Sequence, residues 1–278
     1  MRAGEIRFSA WPIIRSVLLF MIGTILCLGL IARSSDSTEM IFSASLIVLF
    51  AGLAGLRIHQ SLRDMVRRSE LISIGARQAE GHYVDVLRRI VLSGEAREEY
   101  HYGHSANVAR LARRIGEKMG LSARHCDRLE LAGELHDIGM LSVPEEILRG
   151  RGPISVQKYH RVQQHANVGY EILQPLPSLA DILPAVRSHH ERMNGTGYPD
   201  GLRGEDIPLD ARILAVADSY EAMTHDRPHR AAMTSLAAMD ELERCTPAGY
   251  DPEVVEALAQ VINLSGLQEA MTPAMVGA

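Results

Sequence analysis

The chain is expected to be all-α: an N-terminal hairpin of two apolar helices, one long heptad-patterned helix, and a helical C-terminal domain. Three observations lead there. Two uncharged, apolar runs stand in the first sixty residues. A four-three spacing of apolar residues then persists from 58 to 90. Beyond it, helix caps and 3.6-residue periodicity recur, no alternating strand pattern stands out, and aromatics make up only 5% of the chain. With 278 residues, 46% of them hydrophobic, there is enough apolar material for one well-cored domain and some further structure. A formal net charge of -5 excludes the basic field of a general nucleic-acid binder, so no nucleic-acid polymer is expected as partner. Cys27, Cys126 and Cys245 lie far apart in no ligand pattern and read as reduced and structural.

Residues 1–57 form the hairpin. The runs 16–32 and 40–56 carry no charge and are each 17 residues long, at the short end of the roughly 17–25 that span a bilayer. Arg15, Arg33 and Arg57 border them and can snorkel to the interfaces, and Trp11 stands where an interfacial aromatic belongs. Backbone groups inside lipid are satisfied only if both runs are helical. Arg2, Arg7 and Arg15 precede the first run, and Arg57, Arg63, Arg67 and Arg68 follow the second, whereas the connector holds one Arg and two acids. This charge bias predicts a multi-pass protein of the cytoplasmic (inner) membrane, with the N-terminus and the large C-terminal domain on the cytoplasmic side.

Residues 58–95 form the next element. Ile58, Leu62, Met65, Ser69, Ile72, Ala76, Ala79, Tyr83, Val86 and Ile90 alternate by four and three, with charged residues between them. This is a coiled-coil seam, and a parallel homodimer through residues 58–90 is preferred to a single amphipathic helix packed on the next domain. Gly75 and Gly81 each weaken the helix by about 1 kcal/mol.

Residues 96–278 read as a helical bundle. Ser122 opens a helix that ends near Gly139, Pro208–Thr224 is another with Ile213, Leu214, Val216 and Ala217 on its buried side, and Thr234 caps a third through Cys245. Asp251-Pro252-Glu253 supplies an N-cap, a first-turn proline and an acid behind it. Five separate helical stretches each offer imidazole or carboxylate: His104; His136-Asp137; His165; His189-His190; Asp218. These are donors that divalent first-row metals accept, and the carboxylate of a His-Asp pair can bridge two ions. Burying five His and two Asp in one helical core without a metal would leave many polar groups to satisfy. His59, His82 and His125 stand alone and read as exposed or hydrogen-bonded.

Residues 96–262 resemble the HD-GYP domains of the HD phosphohydrolase superfamily. The resemblance rests on His104 followed by His136-Asp137, on the segment from His189-His190-Glu191 through Gly195-Thr196-Gly197-Tyr198-Pro199, on Ile207 to Asp218, and on Arg227-Pro228-His229-Arg230. It implies two divalent metal ions, iron or manganese, between which the ligand set does not choose. One would be held by His104, His136, Asp137 and Asp218, the other by Asp137, His165, His189 and His190. It also implies cyclic di-GMP as substrate, hydrolysed to pGpG or GMP by a metal-bridging hydroxide, with His136 and Asp137 at the catalytic centre. Tyr198, Arg227 and Arg230 would contact substrate, and Gly195 and Gly197 would let the loop turn sharply. Tyr100 stands where some relatives carry a glutamate for a third ion. Most relatives read His-Asp-Ile-Gly-Lys where this chain has Met140, and Glu221 replaces a usual Asp. Met140 removes a positive charge, which puts turnover in doubt and points to a second reading, a receptor with little or no catalysis.

Overall fold

The computed structural model describes residues 11–33, 36–96, 103–148, 154–226 and 231–271, excepting the side chains of 12, 13, 16 and 264–271. Two compact units divide the chain, Met1–Ala79 and Glu80–Ala278.

The first unit contains α1 (Trp11–Arg33) and most of α2 (Ser37–Glu95). Asp36 accepts the Thr38 amide at 3.0 Å and so starts α2 in the manner of an N-cap. Apolar side chains such as Ile25, Phe42 and Val48 lie 63–72% exposed, a surface foreign to a helix facing water. Among the described residues, α2 alone is long and apolar enough to cross a membrane, judged by length and composition. The apolar run of α1, Val17–Arg33, is shorter; at 1.5 Å per residue it extends about 25 Å against a hydrocarbon core of about 30 Å. The heptad region lies inside α2, which continues for 59 residues without a break at Gly75 or Gly81.

The second unit takes in the last turns of α2, so the domain begins before the boundary expected at residue 96. The reason is a second apolar face. Val84 and Val91 are buried in the core with Leu87 packed against it, while Tyr83, Val86 and Ile90 of the heptad seam stay exposed. Packing on the domain and a free seam therefore use different sides of one helix.

The rest of the unit is helical, with no strand among the described residues and a single bridge between Asn194 and Arg203. Two helix hairpins position the site. In the first, α3 (His104–Lys118) and α4 (Ala123–Leu135) run antiparallel. They approach closely at Gly133, where an added Cβ would lie 2.5 Å from the Ala109 Cα. The short connection thus brings His104, first in α3, beside His136, which follows α4. Instead of continuing to Gly139 as expected, α4 stops at Leu135. Asp137 leaves helical geometry (φ -97°, ψ 11°), and Ile138–Ser142 form a tight 3-10 turn.

After α5 (Glu145–Leu148) and α6 (Val156–Gln163), the second hairpin pairs α7 (His165–Leu173) with α8 (Leu183–Ser188). A 3-10 turn, Pro177–Ile182, precedes α8. His165 opens α7 and His189 closes α8, so they too meet at one end. Gly139 joins the two hairpins: a Cβ there would overlap the His165 carbonyl oxygen, so only glycine permits the approach. Buried against both lies α9 (Leu209–Thr224), its Ile213, Leu214, Val216 and Ala217 inward as expected. α10 (Ser235–Cys245) starts at a Thr234 cap, and α11 (Pro252–Met271) at Asp251. Asp251 accepts the Glu253 amide at 2.9 Å and the Arg212 guanidinium at 2.5 Å.

Two side chains from the end of α2 reach the first hairpin. Arg88 donates to Glu134 at 2.7 Å, two residues before His136. Glu95 accepts the amides of Gly103 and Ser105 at 3.0 and 2.7 Å, supplying the cap that Gly103 lacks at the start of α3.

Candidate metal centre

All seven expected ligands meet at the open ends of the two hairpins. The Asp137 carboxylate lies between two sets of imidazoles. Its Oδ2 faces His136 Nε2 at 3.4 Å and His104 Nε2 at 3.8 Å. Its Oδ1 faces His165 Nε2 at 3.3 Å and His189 Nε2 at 3.9 Å. Asp218, in the middle of α9, joins the first set 3.3 Å from His104 Nε2, and His190 joins the second, whose four donor atoms all lie within 4.8 Å of one another.

The ring orientation is set from behind. His136, His165 and His189 each place Nδ1 against the carbonyl three residues earlier, Gly133, Val162 and Val186, at 2.8, 2.6 and 2.7 Å. A carbonyl only accepts, so Nδ1 carries the proton and Nε2 turns its lone pair inward. His136 Nε2 is buried and forms no hydrogen bond among the described residues. A buried imidazole nitrogen aimed at other imidazoles and carboxylates fits a metal ion.

Residues 88–254 match a protein-family model described as HD domain. The chain belongs to the HD-domain family. A cyclic di-GMP phosphodiesterase of Thermotoga maritima is 35% identical over 184 residues, which cover 66% of this chain and 50% of that one. A 3'3'-cGAMP-specific phosphodiesterase of Vibrio cholerae is 33% identical over 167 residues, 60% of this chain and 39% of its own. The chain thus spans about half or less of the length of these relatives. The solved structure of an HDG"Y"P protein from Bdellovibrio bacteriovorus shares the fold, with TM-score 0.52 at 18% identity over 67% of this chain and 64% of that one. These likenesses bear out the resemblance carried by the His-Asp and Gly-Tyr-Pro motifs.

Electrostatics divides the HD-domain cluster in two. Burial tends to raise the Asp137 and Asp218 carboxyls, but the neighbouring imidazoles outweigh it and hold both well below the ordinary carboxylate range. Burial lowers His104, but the Asp218 and Glu221 carboxylates dominate and push it up to about 11. The first set therefore draws positive charge, the field that also favours a cation. In the second set burial, reinforced by adjacent imidazoles, lowers His190 to about 4 and His189 well below its usual value. Both are neutral at pH 7, the form that ligates a metal.

Glu221, marked in the sequence only as a departure, positions a ligand. Its Oε2 contacts His104 Nδ1 at 2.5 Å, and its Oε1 accepts from Asn107 Nδ2 at 3.2 Å. It completes a carboxylate–histidine pair behind the first set. Glu221→Gln should weaken metal affinity roughly 10–100-fold, read by metal titration of the chelated protein. Unchanged affinity would deny Glu221 this role.

The Gly-Tyr-Pro loop of the HD domain is folded around Glu191, which the sequence motif contains but to which no role was assigned. Its buried carboxylate accepts the amides of Asp200, Gly201 and Leu202 at 2.7, 3.0 and 3.1 Å. Gly195 adopts a left-handed φ of 77°, and a Cβ at Gly197 would strike the Glu191 and Arg192 backbone, so the first is required by its turn and the second by close approach. Tyr198 then lies with its ring centroid 4.8 Å from that of His190, on the rim of the cluster. Glu191→Gln puts an amide N–H among three N–H donors and should cost about 2–4 kcal/mol. Denaturant unfolding of the metal-free protein tests this, and a loss under about 0.5 kcal/mol would contradict it. Arg227, Arg230 and Tyr100 lie outside the described residues.

Proposed function

We propose that the chain is a membrane-anchored, metal-dependent phosphodiesterase that opens a cyclic dinucleotide, cyclic di-GMP foremost, to pGpG or GMP. One observation carries this reading: the two oxygens of Asp137 are divided between two imidazole sets, an arrangement that would suit a pair of divalent cations, iron or manganese. Bound there, such ions supply Lewis acidity, which lowers the pKa of water and neutralises charge on a phosphoryl group. The protein holds Nδ1 protons on His136, His165 and His189, so that each Nε2 points inward. Asp137 stays ionised and keeps 27% of its side chain accessible, opening the cluster to substrate. Tyr198, its phenol pushed up by burial, stays protonated and can donate to phosphate or base. By the family resemblance, Arg227 and Arg230 would add guanidinium contacts.

The names of the curated relatives support a cyclic dinucleotide and divide between cyclic di-GMP and 3'3'-cGAMP. Met140, in the turn after Asp137, favours a second reading: a domain that binds metal and nucleotide with little turnover. The apolar helices support the membrane anchor, and the exposed seam at Tyr83, Val86 and Ile90 supports a homodimer. The test incubates the full chain, purified anaerobically in detergent, with manganese or ferrous iron and each cyclic dinucleotide, and chromatographs the products. Linear product from cyclic di-GMP is expected. Bound metal and nucleotide without product would leave the receptor reading, and failure to retain any transition ion would remove both.

A further inference from the structure

The crevice between α1 and α2 carries chemistry that the hydrolytic site does not use. It has a volume of about 660 Å³, within the range of small-molecule sites, about 300–1,000 Å³. Arg15 and Arg57 line it from opposite helices, apolar walls come from Phe20, Phe50 and Leu53, and Trp11 stands at its edge. Among the described residues, no acidic side chain lines it. Arg15 lies 18 residues before the end of α1, and Arg57 lies 20 residues after the start of α2. At 1.5 Å per residue both guanidinia stand about 27–30 Å from the connector, one hydrocarbon thickness away, at headgroup depth.

An occupant must bring negative charge to the two guanidinium forks and hydrocarbon to the walls. We propose that this crevice binds one anionic phospholipid, its phosphate between Arg15 and Arg57 and an acyl chain along Phe20, Phe50 and Leu53. Planar guanidinium groups pair with phosphate oxygens, and basic pockets between membrane helices take acidic headgroups. The site rests on the membrane-anchored reading above.

Trp11 is the sole tryptophan of the chain, so its fluorescence reports on the crevice without labelling. The full chain is reconstituted into phosphatidylcholine vesicles containing a minor fraction of brominated phosphatidylglycerol or the same fraction of brominated phosphatidylcholine. Flotation after an alkaline wash checks insertion. Quenching by the brominated anionic lipid should exceed that by the zwitterionic one by about threefold, as expected for a lipid held above its bulk fraction. Arg15→Gln and Arg57→Gln should each abolish the difference, while Arg63→Gln, on α2 outside the crevice, should preserve it. Flotation with equal quenching, or equal loss in all three variants, overturns the crevice and leaves the anchor standing. Failure to float overturns both.

Discussion

Asp137→Asn should lower hydrolysis of cyclic di-GMP by at least about three orders of magnitude and strip the protein of most of its metal. Asp137 faces both imidazole sets, with Oδ2 3.4 Å from His136 Nε2 and Oδ1 3.3 Å from His165 Nε2. An amide keeps one acceptor and turns N–H donors on nitrogen lone pairs that are meant for a cation. It also removes the negative charge that the surrounding imidazoles hold ionised. Metal binding stabilises the native state by mass action, about 2.7 kcal/mol at a hundredfold excess over Kd, so a chelator should lower the wild-type melting temperature and leave the variant unmoved. Elemental analysis, the chelator shift and product chromatography read the three consequences separately. A variant with full metal content and turnover within tenfold of wild type would dismantle the bridging role and the hydrolytic scheme with it.

The seven candidate ligands, which the structure gathers at one place, were legible because each stands next to a helix terminus or in an apolar helix with its motif intact. The logic that gathers them was not. His104 and His136 meet because α3 and α4 form an antiparallel hairpin closed at Gly133, and a contact 32 residues apart in sequence leaves no local signal. The end of α4 was misplaced for a related reason. Periodicity favours continuing the helix to Gly139, and the turn at Asp137 is explained only by the close approach of α7 to Gly139. Glu191 and Glu221 were invisible as working groups because a carboxylate that serves backbone amides or another side chain's Nδ1 looks in sequence like any acid. The heptad seam of α2 was readable, and the helix is continuous. The second face, Val84, Leu87 and Val91, was masked by the stronger four-three pattern. Through Arg88 and Glu95 the end of α2 also contacts the helices that carry His104 and His136, a link that no periodicity shows.

Met140→Lys should raise kcat by roughly 10–100-fold, the worth of one charged contact to a developing phosphoryl charge. The geometry allows such a contact. Met140 lies three residues beyond Asp137 in a tight turn, and its amide donates to the Asp137 carbonyl at 2.9 Å. Residues three apart in a 3-10 turn eclipse one another, so an ammonium at 140 projects on the side from which the Asp137 carboxylate leaves. The position is half-buried, and a four-carbon stem can keep its charge in solvent or on substrate while its methylenes replace the thioether. Metal content should not change, since none of the seven ligands is touched, and KM should move little if the contact forms mainly in the transition state. Single-turnover rates with manganese, measured beside metal content, isolate the chemical step. A rise would identify Met140 as the brake on a complete hydrolytic centre. If wild type already turns over rapidly and the lysine adds less than about twofold, charge at 140 contributes no transition-state stabilisation. If both proteins bind cyclic di-GMP and cleave none, the defect lies elsewhere and the receptor reading stands.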